Sequence, residues 1–239
     1  MCGRFSLSSP PGDLARRFDA ELAPGIDPEA PTGWNLAPTD AVLGICARAA
    51  GGPPAGPLRA VARYHWGLDT GRAKGGSGGG RLFNARAETV AARPTFKEAF
   101  ARRRLAVPAD GFFEWRKGHG GKRQAHFFHR ADGAPLLMAG LWEPGRTGAL
   151  PSCTVVTTAA GPDMDGVHDR MPVVLEAPAL DVWLDPDDTG GDRVRALLRA
   201  GPPGTLVHHV VDPRVGNVAN RDPGVVEPVG PARPGAATR

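Results

Sequence analysis

Short apolar runs separated by glycine, proline and polar residues dominate the chain. Residues 41–46, 61–67, 124–130, 136–142, 152–158 and 205–211 have strand length and turn residues at their ends, and 105–116 reads as strand and turn. Helical spacing is rarer. Leu14, Phe18 and Leu22 recur at steps of four, which predicts a helix over 12–22 with Asp13 as N-cap. Residues 87–92 and 95–102 predict a helix broken near Pro94, which fixes φ and lacks an amide donor. Shorter helices are expected at 180–184 and 193–200. Residues 23–33 read as loop, 49–57 as a turn and 118–121 as a hairpin turn. The Gly-rich stretch 71–80 reads as a flexible loop inside one domain, since strand-like sequence resumes on both sides. Many short strands without regular βα alternation predict an α+β fold. It should be a single compact domain over 1–221, with an antiparallel, barrel-like β-sheet core and a few flanking helices. The Pro/Gly-rich tail, 222–239, is expected to be disordered.

Composition narrows the classes. The 239 residues carry a net charge of +4, which permits a polyanion partner without demanding one. Four of the 29 basic residues are Lys, a skew that with 33 Gly and 25 Pro fits a GC-rich coding sequence, so arginine position outweighs arginine number. No apolar run approaches the ~18 residues of a membrane span, and no secretory signal opens the chain. Cys2, Cys46 and Cys153 form no close pair, which argues against a disulfide framework and a zinc site. A cytoplasmic monomer without metal or organic cofactor is expected.

Four positions carry candidate chemistry. Removal of Met1 would leave Cys2 with both an α-amine and a thiol, and free groups of these types ionise near pH 8. Such an aminothiol can attack acyl groups or condense with an aldehyde to a thiazolidine. Glu114 lies in Gly111-Phe112-Phe113-Glu114-Trp115, where strand alternation puts it on the face of Phe112 and opposite Phe113 and Trp115. Carboxyl groups among apolar neighbours serve as general acids. His168, beside Asp169 and Arg170, is a proton-transfer or phosphate-contact candidate. Asn84, Arg86 and Glu88 share a face if extended; a plain Arg86–Glu88 pair would account for them equally well. His126 and His129, like His208 and His209, fall on opposite strand faces, and Cys46 and Cys153 suit buried apolar sites.

These segments in order are more specific than any alone. Cys-Gly-Arg-Phe at 2–5, Asn-Leu-Ala-Pro at 35–38, Trp66-Gly67, Asn-Ala-Arg-Ala-Glu-Thr at 84–89, Pro-Ala-Asp-Gly-Phe-Phe-Glu-Trp at 108–115, His-Asp-Arg-Met-Pro at 168–172 and Val-Gly-Asn-Val at 215–218 resemble the SOS response-associated peptidase (SRAP) family over residues 2–220. The resemblance implies covalent crosslinking to abasic sites in single-stranded DNA. Cys2 would be the crosslinking residue, Asn84 would orient its amine, Glu114 would open the deoxyribose ring, and His168 would assist proton transfer and hold a phosphate. It further implies DNA contacts by Arg4, Pro38, Arg86, Arg93, Trp115 and Arg170. One departure stands out: where the family continues Trp-Gly with aromatics, this chain has Leu68-Asp69-Thr70 and the Gly-rich run. Base stacking is worth roughly 1–3 kcal/mol per base, so its loss predicts weaker DNA affinity or a shifted preference at one flank. Two alternatives remain open at this point. Cys2, His168 and Asn84 are also the residue types of a thiol peptidase or N-terminal-nucleophile amidase, and the arginines with Trp115 would suit a non-catalytic single-strand DNA-binding module.

Overall fold

A computed structural model describes residues 2–47, 59–69, 81–121 and 123–229. The strands are β1 (Phe5–Leu7), β2 (Ala20–Leu22), β3 (Gly33–Leu36), β4 (Ala41–Ala47), β5 (Arg59–Trp66), β6 (Asn84–Arg86), β7 (Arg104–Ala109), β8 (Gly111–Lys117), β9 (Arg123–Arg130), β10 (Leu136–Glu143), β11 (Ser152–Ala159), β12 (Arg170–Pro172) and β13 (Leu206–Val210). The helices are α1 (Pro11–Arg17), α2 (Lys97–Arg102), α3 (Ala179–Leu184) and α4 (Asp192–Arg195).

Strands β11, β10, β7, β4 and β5 pair in sequence, and β5 pairs back to β11 in parallel at His65↔Ser152 and Trp66↔Cys153. The ring therefore closes, which leaves these five strands without a free edge among themselves. Its alternating apolar positions, among them Ile45, Val61, Leu105, Val107, Leu141 and Val155, are buried. A second, open sheet runs β13-β9-β8-β1-β3. Both of its faces are covered. Phe5, Phe112 and Phe128 pack into the main core, while Phe113 and Phe127 pack with Val211, Val215 and Val225 from the last part of the chain. The predicted split of Phe112 and Phe113 between faces therefore holds. The chain leaves the ring for the open sheet at Asp110-Gly111, where a Cβ on Gly111 would lie 2.3 Å from the Phe128 carbonyl oxygen. Only glycine fits there, and that corner aims β8 toward the site.

Several local expectations are corrected. The 12–22 helix ends at Arg17; Asp19 turns to φ 46°, and 20–22 form β2 against β5. Pairing to a neighbouring strand overrides the helical spacing of Leu22. Asp13 is not the N-cap: Pro10 holds that position, and Asp13 sits in the first turn, paired with Arg16. Residues 87–92 form turns, so only 97–102 of that segment is helical, and the 193–200 helix shortens to Asp192–Arg195. The strand Gly33–Leu36 begins inside what reads as loop. The tail is ordered well past 222, with Val225 buried and Pro228 bridged to Val211. The 49–57 turn, the 71–80 loop and residues 230–239 lie outside the described residues.

Four histidines meet on β9 and β13. His126 is 3% exposed, with its Nδ1 3.0 Å from His208 Nδ1; His129 and His209 face each other on the opposite side. Burial, then the His208 ring, Arg116 and His209 hold His126 from 6.5 down to about 4. The unfolded imidazole takes up its proton first, so this group favours the folded state above about 6.5 and that advantage is lost as pH falls toward 4. A thermal-melt series from pH 7 to 4 should show a declining Tm, and His126→Phe should flatten the decline.

Candidate functional site

The site forms where the open sheet meets the closed ring. β1 lies antiparallel to β8, with Phe5 opposite Phe112 and the Phe113 amide donating to the Arg4 carbonyl at 2.9 Å. Extending this register brings Cys2 alongside the Glu114 end of β8. Across from them, β6 runs parallel to β11, with Asn84 at Val155, and presents Asn84. The turn before β12 presents His168.

Three contacts link the four residues. Asn84 Nδ2 donates to the Cys2 carbonyl oxygen at 2.9 Å. The Glu114 carboxylate bears electrostatically on the Cys2 sulfur. His168 Nε2 lies 3.9 Å from Glu114 Oε2. Cys2 and Glu114 are buried, whereas the His168 side chain is 25% exposed, so the histidine is the solvent-facing member. Burial pushes the Cys2 thiol well above its ordinary range; Glu114 pushes the same way, and a hydrogen bond from the Arg4 amide pulls against both. The Asn84 amide grips the Cys2 carbonyl, while its Oδ1 is buried without a hydrogen-bond partner. The Arg170 amide donates to His168 Nδ1 at 2.9 Å, which leaves the neutral ring's proton on Nε2, the nitrogen toward Glu114. The Arg170 carbonyl oxygen lies 3.2 Å from the same Nδ1, and Asp169 Oδ1, on a side chain 91% exposed, stands 3.1 Å from it.

The basic residues divide. Arg86 and Arg93 are exposed, Arg93 with its guanidinium 5.9 Å from the Phe96 ring centre. Arg170 is committed internally: it forks onto Glu88 at 2.6 and 3.0 Å and donates to the Thr157 carbonyl at 2.6 Å. That fork replaces the Arg86–Glu88 pair and holds the Glu88 carboxyl below the usual carboxylate range. Arg4 is committed too. Its Nη1 donates to Asn35 Oδ1 at 2.8 Å and to the Val215 carbonyl at 2.6 Å, and its guanidinium lies 5.8 Å from the Trp115 ring centre. Trp115 and Pro38 are half-buried.

Asn35, buried beneath these groups, was visible only as part of a motif. Its Nδ2 faces the carbonyl oxygens of Val215 (3.1 Å), Asn217 (3.2 Å) and Asn220 (2.7 Å). With Arg4 it clasps the first strand to residues 215–220. Among the described residues no group of three or more His, Cys, Asp or Glu side chains could hold a metal ion.

Comparison with known proteins gives the family and the fold. The family described as SOS response associated peptidase (SRAP) matches residues 1–218. The chain is 30% identical over 235 residues to the abasic site processing protein YoqW of Bacillus subtilis (strain 168), covering 95% of this chain and 99% of that one. It is 32% identical over 238 residues to the abasic site processing protein YedK of Escherichia coli (strain K12), covering 96% and 100%. A crystal structure of a Bacteroides thetaiotaomicron protein superposes with TM-score 0.76 at 20% identity, over 95% of this chain and all of the other, and shares the fold.

Proposed function

The chain belongs to the SOS response-associated peptidase family, and from that premise we propose that it captures abasic sites in single-stranded DNA through a covalent bond to Cys2. The observation that carries the proposal is the grouping of a buried thiol with a buried carboxylate, a histidine and an asparagine amide. The open acceptor Asn84 Oδ1 is complementary to the amine that removal of Met1 creates.

An abasic deoxyribose is a cyclic hemiacetal, a masked aldehyde. Glu114 takes the proton of the hemiacetal hydroxyl and returns one to the ring oxygen as the ring opens. His168, with its Nε2 proton toward Glu114 and one edge in solvent, passes protons between the carboxyl and water. The Cys2 amine adds to the aldehyde and water leaves, giving an imine. The thiol then adds across the C=N bond: sulfur bonds to carbon, and the thiol proton ends on nitrogen. Burial pushes the thiol up, and a protonated thiol would supply both atoms of that last step. A thiol peptidase needs the reverse, a thiol poised as thiolate, so the environment of Cys2 favours condensation over peptide hydrolysis.

Incubation of Met1-processed protein with an oligonucleotide bearing one abasic site should yield a species of summed mass less one water. A species without water loss, or none, would overturn the proposal. Glu88→Gln should slow adduct formation by less than about tenfold, since half-exposed ion pairs contribute at most ~1 kcal/mol. Single-turnover rates would check this. Arg170→Lys should lose more, because an ammonium cannot bridge Glu88 and the Thr157 carbonyl as the planar fork does.

A further inference from the structure

A cleft of about 340 Å³ opens between the β3 edge and the start of β4, away from the four residues of the site. Its lining is mixed: Leu36 and Val42 are apolar, and Thr32, Asp40, Arg63 and Arg221 supply its polar groups. That volume lies within the range of small-molecule sites, ~300–1,000 Å³.

Three observations bear on what the cleft would take. The first is electrostatic: the Arg4 guanidinium, two residues from Cys2, feels both the Asp40 carboxylate and the Arg221 guanidinium. The second is the mouth itself. Arg221 Nη2 lies 3.0 Å from each Asp40 oxygen, and Asp40 sits on a strained turn, with Thr39 at φ 82°. A β-branched residue in that region costs of order 1–3 kcal/mol and persists where the surroundings hold it; here the Thr39 amide donates to the Trp66 carbonyl at 2.8 Å. The third is Thr32 Oγ1, a buried hydroxyl oxygen without a hydrogen-bond partner. Such a group calls for a polar atom of an occupant.

Arg63 leaves an exposed guanidinium at the cleft, whereas Arg4 and Arg221 are held by Asn35, the Val215 carbonyl and Asp40. We infer that the cleft is a nucleobase subsite, taking one unstacked base of the bound strand near the lesion. The base enters beside Leu36 and Val42 with an edge atom on the Thr32 hydroxyl, and its phosphate meets Arg63. This inference rests on the single-stranded DNA reading and assigns that strand a second, non-covalent anchor. It also offers a replacement for the stacking position absent after Gly67.

The test is binding by fluorescence anisotropy, with single-stranded oligonucleotides whose central residue is a tetrahydrofuran abasic analogue. That analogue has no aldehyde, so covalent chemistry does not enter. A second tetrahydrofuran is placed at each of the four positions on either side in turn. One position should stand out, where loss of the base weakens binding roughly fivefold or more. Thr32→Val and Arg63→Gln should each reduce that contrast to less than about twofold, while both variants still form adduct at saturating abasic DNA. Equal binding at all eight positions, or an unchanged contrast in both variants, would overturn the inference. Failure of a true abasic site to form adduct would instead overturn the role of Cys2 and leave this comparison intact.

Discussion

Cys2→Ala should abolish the heat-stable adduct, to below roughly one hundredth of the wild-type yield, because the thiol is the group that turns a reversible imine into a closed ring. The variant keeps a small second residue and hence an α-amine after Met1 removal. Borohydride reduction should therefore still trap an imine between that α-amine and the abasic aldehyde. The two readouts separate the two nucleophiles: the stable species reports sulfur, the trapped species nitrogen. The Asn84 grip is on the backbone carbonyl of residue 2, so the substitution leaves it in place. A stable adduct at wild-type yield from Cys2→Ala would sink the thiazolidine mechanism.

Glu114→Gln ranks second. It retains the shape of the side chain and removes its capacity to exchange a proton. The loss expected is about 10²–10⁴-fold in the rate of adduct formation, the usual contribution of a positioned acid–base group. The defect should concern ring opening. An oligonucleotide carrying an aliphatic aldehyde that cannot cyclise should react with Glu114→Gln within about tenfold of the wild-type rate. A deficit of equal size on both substrates would place the carboxylate in a later step. Glu114 also raises the Cys2 thiol, so the same variant should bring the thiol down toward its ordinary range, readable as faster alkylation of the folded protein by iodoacetamide.

Strands were legible where they were long. The segments at 124–130, 136–142 and 152–158 lie within one residue of β9, β10 and β11, since six or more alternating or apolar residues leave little choice of partner. The three-residue strands β2, β6 and β12 were not, because such a stretch owes its conformation to the strand beside it. Ala20–Leu22 looked helical until the Asp19 turn and the β5 edge were visible. The site divides in the same way. The types and order of Cys2, Asn84, Glu114 and His168 could be read along the chain, and the family resemblance joined them. The commitments of Arg4 and Arg170 could not: Arg4 is held mainly by backbone carbonyls, which leave no mark on residue identity, and Arg170 forks onto Glu88, 82 positions away along the chain.

On the proposed mechanism, the clasp of Asn35 and Arg4 onto residues 215–220 would also govern when the molecule becomes reactive. During synthesis the aminothiol end emerges first, yet the segment that fastens it comes much later, with 211 residues separating Arg4 from Val215. Contacts of such sequence separation form late and slowly. A nascent chain therefore carries its nucleophile for most of translation without the assembled pocket that gives it a target. Competence to trap a lesion would then arrive only with the closing stretch of the polypeptide, and a truncated product ending before Val215 would carry Cys2 without its seat.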